Sequence, residues 1–306
     1  MKKIFIAGIS GCVGHYLFDE LAHNPNNLLH LIVRDPKRLR FDPRLFPNVT
    51  VFHEDLRNIG NFGSLLSEMD QVVHLAADWG GNEGNLDYTL NFFSLLKPEQ
   101  IKKVIYFSTA SILGEDNRPV EAAEKFGTHY IRSKYRLFNK LTELPIYPRI
   151  TTLFPTWVLG GDSHHPFSHA LQGIIDMRPW LRLIRFFTAD VSFHYIHARD
   201  LARITRHLLE NETGERQYVL GNEVVTATEV IDNICRYFDV PVYIHLPIST
   251  KLVRLAAALT RHNFHPWDLY SLEKRHFIHQ TVNAPYFGLP ADLVNLPSIL
   301  NLALKK

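Results

Sequence analysis

Short apolar runs alternate with amphipathic stretches through the first half of the chain. Ile4–Ala7, Leu28–Val33, Val49–His53, Gln71–Ala77 and Lys103–Phe107 are apolar and rich in β-branched or aromatic side chains. Continuous runs of this length, rather than alternating ones, predict strands buried on both faces of a parallel sheet. Between them, His15–Ala22, Leu86–Leu96 and a stretch ending near Thr142 carry a helical repeat. The alternation predicts an α/β fold, a doubly wound parallel sheet with helices on both faces. Beyond about Leu159 the pattern breaks down. There Phe167–Met177 reads as a helix, Tyr218–Leu220 and Val240–Leu246 as strands, Ala227 as a helix start, and Thr250–Thr260 as a strongly apolar helix.

Gly8-Ile9-Ser10-Gly11-Cys12-Val13-Gly14 falls between the first strand and the first helix. In that place it reads as the phosphate-binding turn of a dinucleotide-binding βαβ unit, which makes the sheet Rossmann-type. Gly8 turns the chain off the strand, Gly11 lets backbone approach a pyrophosphate, and Gly14 lets the helix lie close on the sheet. Cys12 and Val13 lie in this turn, and the helix that follows from His15 offers free N–H groups and a positive dipole end to phosphate. The same stretch also has the look of a lipoprotein signal, but Ile4–Ala7 is too short for its hydrophobic core.

The expected organisation is a dinucleotide-binding domain over residues 1–160, with elements returning at about 190–222, and a smaller mixed α/β substrate lobe over 161–306. A chain of 306 residues can bury either arrangement. A formal charge of +2 without a long basic run argues against a nucleic-acid partner. Cys12 and Cys235 make no disulfide framework and suit a reducing cytoplasm. No apolar stretch approaches a membrane span. Seventeen histidines include His164-His165, His194 with His197, His262 with His265, and His276 with His279. Without matching cysteine pairs or a convergent third ligand, these read as structural, and no metal is expected.

Arg34 ends the second strand. A carboxylate there would accept from the ribose of NAD, whereas a guanidinium pairs with the 2′-phosphate of NADP. With Lys37, Arg38 and Arg40 close by, NADP(H) is the favoured cofactor, and Asp35 leaves NAD(H) open. Asp55 and Leu56 follow the third strand, where a carboxylate can accept from the adenine amino group. At the end of the fourth strand, beside Leu75, the small Ala76 and Ala77 leave room for a cofactor to cross the sheet edge. Tyr130 and Lys134 lie four apart in a helical stretch and share one face. An ammonium and a positively charged nicotinamide together favour a phenolate. Lowering a phenol by about 3 units requires about 4 kcal/mol, within reach of two close charges in a cleft. Thr109, at the end of the fifth strand, can hydrogen-bond a substrate carbonyl beside that tyrosine.

This combination resembles the extended branch of the short-chain dehydrogenase/reductase family. The matching pieces are Gly8-x-x-Gly11-x-x-Gly14, Asp55-Leu56, His74-Leu75-Ala76-Ala77, Phe107-Ser108-Thr109-Ala110-Ser111 and Tyr130-x-x-x-Lys134. Val33-Arg34-Asp35-Pro36 and Phe154-Pro155-Thr156-Trp157-Val158-Leu159-Gly160 are similar to the dihydroflavonol-reductase-like sub-branch. The resemblance implies Tyr130 as acid or base, Lys134 as its modulator and holder of the nicotinamide ribose, and Thr109 as polariser of the carbonyl. It implies Pro155, Thr156 and Val158 along the nicotinamide. Leu113 replaces a tyrosine frequent in sugar-nucleotide enzymes, and Cys12 an aromatic residue of the turn.

The function expected is hydride transfer between a nicotinamide and a small-molecule carbonyl or secondary alcohol. One alternative is a nucleotide-sugar epimerase or dehydratase that retains NAD, with Arg178, Arg182 and Arg185 available for a diphosphate. Another is a catalytically silent nucleotide sensor or assembly protein, against which the complete Thr109, Tyr130 and Lys134 set argues. A homodimer is left open.

Overall fold

A computed structural model describes residues 1–77, 84–249 and 263–304. The predicted helix at Thr250–Thr260 therefore lies outside the described residues. Counting strands of three or more residues and helices of eight or more, the first part runs β1 (Lys2–Ala7), α1 (Cys12–Ala22), β2 (Asn27–Val33), β3 (Val49–His53), β4 (Gln71–His74), α2 (Gly84–Ser94), β5 (Lys103–Phe107), α3 (His129–Lys140) and β6 (Ile150–Pro155). Then come β7 (Trp157–Leu159), α4 (His169–Asp176), β8 (Tyr195–His197), α5 (Ala198–Glu210), β9 (Gln217–Leu220), α6 (Ala227–Tyr237), α7 (Pro266–Lys274) and α8 (Leu296–Leu304).

Seven strands form one sheet in the order β9-β6-β5-β4-β1-β2-β3, and every neighbouring pair is parallel. Helix α1 packs against α5, and α2 against α3. Ile4, Ile6, Leu29 and Leu31 bury into the core that includes α5, and Phe5, Ala7, Val72 and Val104 into the core that includes α2. This two-sided burial is why the strands read as continuous apolar runs. The strand order reverses between β1 and β4, which opens a crevice at their carboxyl ends, where doubly wound sheets bind ligands.

Two local expectations are corrected. The fourth strand ends at His74, not Ala77, because the N–H groups of Leu75 and Ala76 both turn to the Ala7 carbonyl (2.8 and 3.1 Å) and leave the ladder. Val240–Leu246 is not a strand: only Leu246 pairs, with Phe187, while Tyr243 and Ile244 are exposed. Pro241 lacks the donor that a ladder needs.

The turn after β7 is clasped to α1. The His165 ring bridges Asp162 (2.8 Å) and Asp19 (2.7 Å), and it stacks on Tyr16, whose hydroxyl donates to Asp162 (3.0 Å). Burial alone would lower the His165 pKa, but its bonds to Asp19 and Asp162 outweigh that and hold it above the ordinary value. A raised folded-state pKa stabilises fully below the unfolded value, about 6.5, and the contribution is lost as pH rises through the folded value. Chemical denaturation should therefore show stability falling from pH 6 upward, and His165→Asn should flatten that slope. An equal slope in the variant would remove the clasp from the pH response.

Candidate active site

The glycine turn builds the crevice floor. Gly8 has φ +98°, and a Cβ there would lie 2.4 Å from the Ala76 nitrogen, so the turn and the strand-four exit pack backbone to backbone. A Cβ on Gly14 would lie 2.4 Å from the Ile9 carbonyl oxygen and 2.5 Å from that of Gly8. Gly14 thus lets the helix rest on its own turn rather than on the sheet, which corrects the role expected for it. Gly11 differs, since a Cβ there would meet only the Gly8 oxygen, at 3.5 Å. Gly11 is also the N-cap of α1, with no side chain to bond the first-turn N–H groups. An open glycine beside an uncapped helix start fits a pyrophosphate.

Cys12 and Val13 present main chain rather than side chain to this crevice. The Cys12 sulfur packs 3.0 Å from where a Cβ on Gly160 would sit. Burial first, then the Asp162 charge, pushes the thiol up to about 12, so it stays neutral. Val13 packs on the core.

At the adenosine end, Arg34 is exposed just past β2, with its guanidinium 3.9 Å from Asp55. Asp35 caps the next turn by accepting from the Lys37 N–H (3.1 Å). Asp55 caps the turn Leu56–Phe62 and accepts from the Arg57 N–H (2.9 Å) and guanidinium (3.1 Å). Burial would raise Asp55, but these bonds with the Arg57 and Arg34 charges hold it below the usual carboxylate range. Leu56 and Ala76 pack on one core and Leu75 on the other, while Ala77 is exposed. Arg40 does not join Arg34, contrary to expectation. It donates to the Asp162 and His165 carbonyls (3.3 and 3.0 Å), because the chain after β2 folds back toward the clasp.

Helix α3 starts at Thr128, whose hydroxyl accepts from the Ile131 N–H (3.3 Å). Two residues in, Tyr130 is half-buried, and the Thr109 hydroxyl is near enough to act on its phenol. Thr109 stands past β5; Phe107 lies opposite Leu153 of β6, so Thr109 is level with Pro155. Its hydroxyl donates to Ser111 (3.1 Å). The Lys134 ammonium is buried, donates to the Phe107 carbonyl (2.8 Å), and lies 4.7 Å from the Tyr106 ring centre and 6.0 Å from that of Tyr130. The expected depression of the phenol is not what the protein supplies. Burial pushes Tyr130 up, with the Thr109 hydroxyl opposing, and burial brings Lys134 down to about 7. A buried ammonium is itself costly, so it cannot act as a permanent neighbouring charge.

Beneath this set, His74 bonds the Thr89 hydroxyl (2.7 Å), and burial, then the Lys134 charge, lowers it to about 3, which keeps it neutral. On the other wall, the Thr156 N–H and hydroxyl both donate to the Leu220 carbonyl (3.0 and 2.9 Å), and Val158 packs on the core. Trp157 is 56% exposed and stacks on Phe193 (centroids 4.7 Å apart). Sequence reasoning assigned nothing to Trp157, Ser111 or His74. The one legible signal was an indole inside a loop motif whose other positions had roles.

Two of the three arginines available for a diphosphate are engaged elsewhere. Arg178 lies over Phe238 (4.9 Å) and Arg185 donates to the Pro241 carbonyl (2.7 Å). Arg178 and Arg182 line a cavity of about 410 Å³ with Phe238 and Val240, just past the C-terminal end of α6. Among the described residues, no cluster of three His, Cys, Asp or Glu side chains could hold a metal, and no helix is long and apolar enough to cross a membrane.

A model of the NAD dependent epimerase/dehydratase family matches residues 4–221. A UDP-glucose 4-epimerase of Cyamopsis tetragonoloba is 27% identical over 157 residues, 44% of this chain and 44% of that protein, so the match spans less than half of the relative's length. Among solved structures, the UDP-N-acetylglucosamine 4-epimerase of Methanobrevibacter ruminantium, determined with UDP-N-acetylmuramic acid, superposes with a TM-score of 0.69 at 18% identity, covering 99% of this chain and 97% of that one. The Bordetella bronchiseptica enzyme WbmH, in complex with NAD+, gives 0.61 at 19% identity, covering 81% and 86%. At these identities the likeness is one of fold.

Proposed function

The chain belongs to the NAD-dependent epimerase/dehydratase family, and from that premise we propose that it transfers hydride between NADP(H) and a small carbonyl compound or secondary alcohol. The observation that carries this reading is the placement of the Thr109 hydroxyl next to the half-buried Tyr130, with the buried Lys134 ammonium 6.0 Å from the phenol ring centre, beside the glycine crevice. Gly11 and the first turn of α1 would hold the pyrophosphate, Asp55, Leu56, Leu75, Ala76 and Ala77 the adenosine side, and Pro155, Thr156 and Val158 the nicotinamide side. The bound nicotinamide supplies or accepts the hydride. Tyr130 gives its proton to the substrate oxygen in reduction and takes it back in oxidation. Thr109 orients that oxygen. Lys134, near 7, restores the phenol's proton balance from below.

Epimerisation of a nucleotide sugar uses the same residues, and the curated relative and the Methanobrevibacter structure favour it as the second reading. The engaged Arg178 and Arg185 and the Trp157–Phe193 wall favour release of a reduced, uncharged product instead. NADPH consumption with a panel of aldehydes and ketones tests the choice. NAD that survives purification, together with turnover of a UDP-sugar, would transfer the assignment to the epimerase.

For the cofactor, exposed Arg34 carries the NADP(H) preference. Its 3.9 Å pairing with Asp55 is loose enough to exchange for a phosphate. Arg34→Ala should weaken NADPH binding about 10- to 100-fold, equivalent to about 1.5–3 kcal/mol for a charged hydrogen bond, and leave NADH unchanged. Equal losses for both nucleotides, by fluorescence titration, would assign Arg34 to the shared part of the cofactor.

A further inference from the structure

Residues 276–283 cross from one wall of the groove to the other, and they are pinned on both sides. On the Thr109 side, the His279 ring donates to the Gly114 carbonyl (2.9 Å). Next to it, Asn117 and the Gln280 main chain exchange two bonds (2.8 and 3.2 Å). Gly114 and Asn117 belong to the turn that follows Thr109–Leu113, which is closed by the bonds from Gly114 N–H to Arg118 and from Val120 N–H to Ile112. On the Thr156 side, Val282 bonds both Val219 and Gly221 through its main chain (2.9 and 3.1 Å), and Phe277 N–H donates to Ser192 (2.8 Å). Gly221 stands against Thr156, since a Cβ there would lie 2.9 Å from its hydroxyl.

His194 locks the middle. Its Nδ1 donates to the Asn222 carbonyl (2.7 Å) and its Nε2 accepts from the His279 N–H (3.1 Å), so only one neutral tautomer satisfies both partners. Both imidazoles are buried. We propose that residues 276–283 form a strap that sets the width of the reaction groove, and that His279, held by His194, is a positioning residue for Thr109. This rests on the assignment of Thr109 and Tyr130 to the reaction.

The charged groups around His279 are Lys274 from α7, Glu115 from the turn, and His194 itself. Burial, ahead of these charges, keeps His279 below the ordinary histidine range, so the neutral form persists.

The test compares His279→Ala, His279→Asn, His194→Asn and the double variant His194→Asn/His279→Ala by NADPH oxidation with a reducible aldehyde, across pH 5.5–8.5. A misplacement of Thr109 by about 1 Å is expected to lower kcat up to about 100-fold. His279→Ala should show that loss with the NADPH dissociation constant unchanged. His279→Asn, which keeps a donor for Gly114, should recover most of it. The double variant should be no worse than His279→Ala alone. A His279→Ala variant that melts earlier but keeps kcat overturns the proposal. If the intact chain oxidises no NADPH with any carbonyl, the oxidoreductase reading fails. The strap is then decided by hydrogen–deuterium exchange, where faster exchange over residues 107–117 in His279→Ala supports it and unchanged exchange overturns it.

Discussion

Tyr130→Phe is expected to lower kcat about 1,000-fold while the chain stays folded and binds NADPH as before. Positioned proton transfer contributes on the order of 10²- to 10⁴-fold, and the phenol is the one group in the proposed set that both donates and regains a proton at the reacting oxygen. Thr109 keeps its bond to Ser111 when the phenol is removed. Burial raises Tyr130, so as an acid it is well protonated at neutral pH, and the reductive direction needs no further activation. The oxidative direction needs the phenolate. The charge that favours it is lost as Lys134 deprotonates near 7, so Lys134→Met should impair oxidation more than reduction. Steady-state rates in both directions check this. A Tyr130→Phe variant that retains a tenth of its turnover would take Tyr130 out of the chemistry.

Gly8→Ala should destabilise the chain by about 3 kcal/mol or more, read as a lower denaturant midpoint at unchanged slope. Two effects combine. A φ of +98° is a conformation that L side chains rarely adopt. The added carbon would also meet main chain at 2.4 Å, and backbone on the strand-four exit cannot rotate aside as a side chain could. Gly11→Ala separates binding from folding. Its added carbon meets nothing closer than 3.5 Å, so the midpoint should hold, while the cradle fills and NADPH binding weakens at least about 10-fold. Equal stability losses at the two positions would show that Gly11 also serves the fold.

Much of the architecture follows from local pattern. The strands at Val49–His53 and Lys103–Phe107 stand where the pattern predicts them, because continuous apolar runs are short-range signals. The exit of the fourth strand was not legible, since it depends on the Ala7 carbonyl of β1, which lies 68 residues before Leu75 (75 − 7). Val240–Leu246 misleads for a related reason. Its β-branched residues satisfy propensity, yet no neighbouring strand is placed to receive them.

The candidate site divides in the same way. Glycine spacing and the four-residue interval from Tyr130 to Lys134 are properties of neighbouring residues, so the amino-acid order alone sufficed to place a glycine turn ahead of the first helix and a phenol and an ammonium one turn apart on another. Where Arg40 points, how far Lys134 sinks, and that His279 meets Gly114 are set by contacts between residues distant in the chain. Those contacts exist only after the sheet has closed, and burial then acts on each ionisable group with a strength that no list of residues contains.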